Sequence, residues 1–153
     1  MRIRALRPHH LLDLVRDYAP PEGPEPDRPD GANAVPQAAH ALAENLDRSV
    51  RFVVGPDDIC APCSHLQADG RCDRILDRHV PPEPIDEYND PLDRRILARL
   101  GLDEGAELTI GEFLRQVAAD LDAVAAVCTH PTEVTAERLA GLRRGLRRLG
   151  LAD

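Results

Sequence analysis

Hydrophobic positions along this chain recur mainly every three to four residues, the period of an amphipathic helix. Pro8 opens the first such stretch, "HHLLDLVRDYA", in which Leu11, Leu14, Val15 and Tyr18 share one face. A second, "AVPQAAHALAENLDRSV", carries Ala38, Leu42 and Leu46 as its buried stripe. In "LDRRILARLGL" the stripe is Leu92, Ile96, Leu97 and Leu100, and Gly101 stops it. The clearest pattern is "LTIGEFLRQVAADL": Thr109 and Glu112 have capping-box spacing, and Ile110, Phe113, Leu114, Val117, Ala118 and Leu121 face inward. "AVAAVC" is short and apolar and delivers Cys128 into or beside the core. Thr132 or Thr135 is placed to cap a last helix whose inward positions are Leu139, Leu142, Leu146 and Leu149. Period-two patterning is confined to "VRFVVG", a short β-branched strand ending in Gly55-Pro56. "ILDRHV" reads as a helical turn before the Pro-rich "PPEPIDEYNDP". The pattern predicts a mainly α, single small domain over residues 1–153, with a short strand or strand pair and a cysteine-rich loop. Residues 20–33, dense in Pro and charge, read as a flexible loop within it.

Composition narrows the function classes. Aromatic residues are 3% and Trp is absent, so the core must come from Leu, Val, Ile and Ala, which favours packed helices. The formal net charge of −8 argues against broad binding to nucleic acid or an anionic membrane. All 19 basic residues are arginine, which excludes lysine chemistry such as a Schiff base. "MRIRALRPHH" lacks the apolar core of a signal peptide and no apolar run reaches membrane-spanning length, so the cytoplasm is the expected compartment. Thiols stay reduced there, and clustered cysteines point to metal or catalysis rather than disulfides.

Three of the four cysteines lie in "DICAPCSHLQADGRC", residues 58–72. Cys60 and Cys63 form a C-x-x-C knuckle around a bend favoured by Ala61-Pro62, and Gly70 turns the chain back before Cys72. Three thiolates from one loop and a fourth from Cys128 would complete a tetrahedral sulfur set, suited to zinc or to an iron–sulfur cluster. His65 and His130, each two residues beyond a cysteine, are substitute ligands or neighbours of the ligands. A thioredoxin-like dithiol is disfavoured because the strand–C-x-x-C–helix setting is missing. His9, His10 and Asp13 join the candidates if the first helix packs over the loop; the bland alternative for His9 is a surface pair with Asp13 at i,i+4. Asp57 and Asp58 are the nearest carboxylates to the thiols. His40 and His79 have no constellation, and the late arginines Arg143, Arg144, Arg147 and Arg148 read as a solvated face.

Four stretches, "RPHHLLDL", "VVGPDDICAPCSHLQADGRC", "LDRRILARLGLDEGAELTIGEFLRQV" and the "VC" at 127–128, resemble domain-of-unknown-function family 1284. That family consists of short prokaryotic proteins described as candidate iron–sulfur binders. Its pattern reads R-P-H-H-L-L-C, where this chain has Asp13, and carries a late C-x-x-C, of which Cys128 matches the first position and Pro131 stands at the second. The resemblance implies one metal centre on Cys60, Cys63, Cys72 and Cys128, most simply a 4Fe-4S cluster, with structural zinc as the alternative. It implies roles in electron transfer, redox sensing or support of a redox or enzyme partner. A small metalloenzyme with an open metal position near Asp13 or His9 is the remaining alternative.

Overall fold

Arg7-Pro8 starts the first helix, α1 (Pro8–Arg16), because proline at N1 needs no N–H and brings a helical φ. The computed structural model describes residues 1–153. Ahead of α1 lies β1 (Ala5–Leu6), and α2 (Val35–Ala41) follows the Pro-rich segment. A 3-10 turn at Ala43–Asn45 ends the second predicted helix early, and β2 (Ser49–Phe52) takes its last two residues together with the start of the predicted strand. The β-branched and aromatic side chains Val50 and Phe52 alternate inward there, which period-two burial rewards.

β2 is the centre of a three-stranded sheet, parallel to β1 and antiparallel to β5 (Glu107–Thr109). In "ILDRHV" only Ile75–Leu76 are extended, as β3, which pairs with β4 (Glu83–Pro84) in a hairpin, while Asp77–Arg78 turn. The next helix, α3 (Ile85–Arg99), begins well before the predicted Leu92 and contains Pro91. The reason is tertiary. Asp86, Asp90 and Asp93 lie on one α3 face and all meet Arg7, which offsets the backbone bond that Pro91 cannot make.

The capping box of α4 (Ile110–Ala119) is formed, Thr109 Oγ1 accepting from Glu112 N at 3.0 Å and Glu112 Oε2 from Thr109 N at 2.8 Å. After α5 (Leu121–Val127), α6 (Thr135–Arg148) closes the fold. Neither Thr132 nor Thr135 caps α6: Val134 is the N-cap residue and no side chain accepts there. No helix is long and apolar enough to cross a membrane.

The core is aliphatic around one stacked pair, Phe52 on Phe113 with centroids 4.1 Å apart. α1 is its central helix and packs on α6, α3 and α2. The α6 face against α1 differs from the expected leucine stripe. Leu142 and Leu146 are buried as expected, but Leu139 and Leu149 are only partly so, and Gly141, Gly145 and Arg138 share the buried face. The late arginines form the exposed face expected, Arg143, Arg144, Arg147 and Arg148 all being exposed, with Arg143 pairing with Asp122 at 2.9 Å and Arg148 Nη1 donating to Tyr18 O at 2.7 Å. Residues 20–31 run over the surface, joined to the body where Gln37 Nε2 donates to Pro26 O at 2.8 Å and the N-terminal amine meets Glu25 at 2.8 Å.

Candidate metal centre

The residues before the knuckle anchor it. Gly55 has φ +110°, a conformation that favours glycine, and it turns the chain out of β2. Asp58 Oδ2 then accepts the N–H groups of Arg4 and Ala5 at 2.5 and 2.9 Å. Asp57 reaches further: Oδ2 accepts from Arg7 N at 2.8 Å, and Oδ1 from Ile59 N and Cys60 N at 3.1 and 3.0 Å. Two adjacent aspartates thus fasten the cysteine loop to the strand that leads into α1.

The bend between Cys60 and Cys63 is closed by Cys63 N donating to Cys60 O at 2.8 Å. Gly70, at φ +81°, reverses the chain, and a bridge between Leu66 and Cys72 brings the third thiol back beside the first two. Cys72 N donates to Asp86 Oδ2 at 2.8 Å, which ties the loop to the start of α3. Cys60, Cys63 and Cys72 are half-buried free thiols lining one cleft, whose wall also includes His10, Arg7 and Asp86.

Within the cleft, ligand atoms of His10, Asp57 and Cys60 lie within 4.8 Å of one another. The three thiols are not gathered that tightly as a trio. His10 Nδ1 is 2.8 Å from Asp57 Oδ2, whose side chain is fully buried. Burial alone would raise the Asp57 carboxyl, but His10 and the N–H groups of Arg7 and Cys60 outweigh it and hold the pKa at about 2. Burial, reinforced by the Asp57 charge, pushes the Cys60 thiol up to about 12. Without a cation beside it Cys60 is therefore protonated and a poor nucleophile.

Cys128 does not line this cleft. It is 1% exposed within the apolar core, and Arg138 Nη2 donates to its sulfur at 3.4 Å. The same Nη2 donates to Asp13 Oδ1 at 2.9 Å, and Nη1 to Glu133 Oε2 at 2.9 Å. Asp13 therefore pairs with Arg138 rather than with His9. His130 lines a second groove with His9, His10 and Asp13, and its Nδ1 accepts from Thr132 N at 3.1 Å. His65 sits outside the cleft, half exposed, with Nδ1 2.7 Å from Asp73.

His9 turns away from the thiols. Its Nδ1 and its backbone N–H meet Asp93 Oδ1 at 2.8 and 2.9 Å, while Arg7 Nε donates to Asp93 Oδ2 at 2.7 Å. Burial, with His10 beside it, lowers the His9 pKa. Burial would raise Asp93, but the His9 contacts and the Arg7 charge hold it below the ordinary 3.8. Below about pH 4 the unfolded chain thus binds a proton at this residue more readily than the folded one. The stability it contributes is complete above that value and is lost as pH falls toward the depressed one. Urea unfolding midpoints should therefore decline more steeply between pH 4 and 3 in the native chain than in Asp93→Asn, and equal slopes would refute this.

Arg7, Asp86, Asp93 and Arg138 are the contributors that sequence patterning misses. One signal was available. Asp86, Asp90 and Asp93 recur at helical spacing next to Leu92 and Ile96, so they border the inward stripe rather than oppose it. A family model described as "Protein of unknown function (DUF1284)" matches residues 32–131. No curated protein and no solved structure matches the chain.

Proposed function

From the premise that this chain belongs to the DUF1284 family, we propose that it binds one metal centre in the cleft of Cys60, Cys63 and Cys72, and that the centre is an iron–sulfur cluster. The observation that carries this is the convergence of three free thiols and an imidazole on one cleft wall. A fold that only needed small apolar side chains would not leave three thiols half-exposed around one opening. Thiolate donors suit iron–sulfur clusters and zinc alike, so the donor chemistry fits.

Three local cysteines with one ligand from elsewhere in the chain favour a cluster, whereas structural zinc more often takes two C-x-x-C or C-x-x-C/H-x-x-H pairs. When bound, such a group supplies one-electron transfer. The chain's own residues hold and insulate it: Asp57 and Asp58 fix the loop, Asp86 fixes Cys72, and Ile59 and Leu66 wall the cleft from water. A role in electron transfer, redox sensing or support of a partner enzyme follows from that chemistry.

Anaerobic reconstitution with iron and sulfide tests the proposal. The expected product is brown, with broad visible absorption and about four iron and four sulfide per chain. Cys60→Ser, Cys63→Ser and Cys72→Ser should each lose most of that content. A colourless protein that retains one zinc per chain under the same conditions would overturn the cluster assignment.

A further inference from the structure

We propose that the fourth ligand of the centre is Nε2 of His10, and that Cys128 takes no part in it; this rests on the cluster reading above. His10 lies on the same cleft wall as the three thiols. Its Nδ1 is already engaged by Asp57 at 2.8 Å. A carboxylate only accepts, so in the neutral ring this contact places the proton on Nδ1 and leaves Nε2 as the nitrogen with a lone pair. Nε2 makes no hydrogen bond in the structure, whereas the Asp57 oxygens accept from three backbone N–H groups besides the imidazole. Asp57 is thereby committed to orientation, and His10 is the member of the pair free to face a metal. Such carboxylate-backed imidazoles are a recurring way to set the tautomer and raise the basicity of a ligating histidine.

The other donors near the cleft are taken. Asp86 accepts from Cys72 N and stands 3.8 Å from the Arg7 guanidinium. His65 pairs with Asp73 outside the cleft. Cys128 is sealed in the core under the Arg138 guanidinium, which competes with any cation for its sulfur. The position of His10 is itself rigid. It sits in the first turn of α1, whose start is clamped through Arg7 and His9 to Asp93.

Three thiolates and a neutral imidazole leave the centre one negative charge short of a four-cysteine set. Its reduction potential is accordingly higher than that of the same cluster with a fourth thiolate.

The test uses the full chain reconstituted with iron and sulfide, with histidine labelled by nitrogen-15. Pulsed electron–nuclear resonance of the reduced sample should show coupling to a histidine nitrogen. His10→Cys should keep the iron and sulfide content, lose that coupling and shift the potential downward. Cys128→Ala should keep both content and coupling. A cluster without nitrogen coupling, or one whose content falls in Cys128→Ala while coupling is absent, overturns the ligand assignment and leaves the cluster reading standing. A chain that takes up no iron and sulfide overturns both.

Discussion

Gly145→Ala is expected to destabilise the protein by about 3 kcal/mol, the upper part of the range for overpacking a tight interface. A Cβ at this position would overlap the Val15 carbonyl oxygen and lie 2.7 Å from its carbon and 2.9 Å from Val15 Cγ1. Two of these three atoms are backbone, so no side-chain rotation relieves the clash and α6 must move away from α1. Alanine's better helix propensity, worth about 1 kcal/mol, works against this loss but does not cancel it. Gly141→Ala is the internal comparison: its Cβ meets Arg16 Cγ at 2.5 Å, a flexible side chain that can swing aside, with the Arg16 carbonyl oxygen at 3.3 Å. It should cost clearly less. Thermal unfolding of the metal-free chain should drop by roughly 6–12 °C for Gly145→Ala. A drop no larger than that of Gly141→Ala would show that the helices separate freely, contrary to the close approach described.

Removing the Arg7 guanidinium is the second large change. Arg7→Met keeps length and apolar bulk but leaves Asp93, whose side chain is 0% exposed, without its cationic partner, and deprives Asp90 and Asp86 as well. Breaking a buried ion pair from one side costs about 3–5 kcal/mol, because the surviving charge stays out of water. Arg7→Lys should restore little, since one ammonium cannot donate in fork geometry to Asp93 and Asp90 at once. Arg7→Met combined with Asp93→Leu should recover only part of the loss, because the two His9 donors on Asp93 then go unpaired. Urea unfolding of metal-free protein reads the effect apart from any ligand. A loss under about 1 kcal/mol would mean that water reaches this cluster.

The helical core was legible where burial alone decides. Ile110, Phe113, Leu114 and Val117 repeat at helical spacing behind a capping box, and all four are buried. The chain was harder to read where a distant residue sets local structure. Ser49 and Val50 close a helical-looking run yet are held extended by β5, whose own pattern is too short to register, at the head of the strand that "VRFVVG" does predict. Pro91 marks a break that does not occur, because three aspartates of α3 answer one arginine 79 or more residues away. At the candidate centre the local turns of Cys60, Cys63 and Cys72 were readable from Pro62 and Gly70. What lies beside them was not, since spacing in sequence carries no information about which helix covers a loop. Cys128 and His10 illustrate this: one sits under Arg138 in the core, and the other enters the cleft through Asp57.

The clamp on α1 has a consequence for how the molecule is made. Its partners lie far down the chain: Asp57 is 47 residues beyond His10, Asp93 is 86 beyond Arg7, and Arg138 is 125 beyond Asp13. During synthesis the first helix and the cysteine loop emerge long before the elements that fasten them together. Local turns form early, whereas contacts of such separation wait for the chain that carries them. The thiols therefore stay open to solvent until α3 arrives, and α1 is not sealed until the glycine face of α6 closes over it. Closure around the helix that supports the cleft thus waits for α6, although every residue that lines the cleft lies between Arg7 and Asn89.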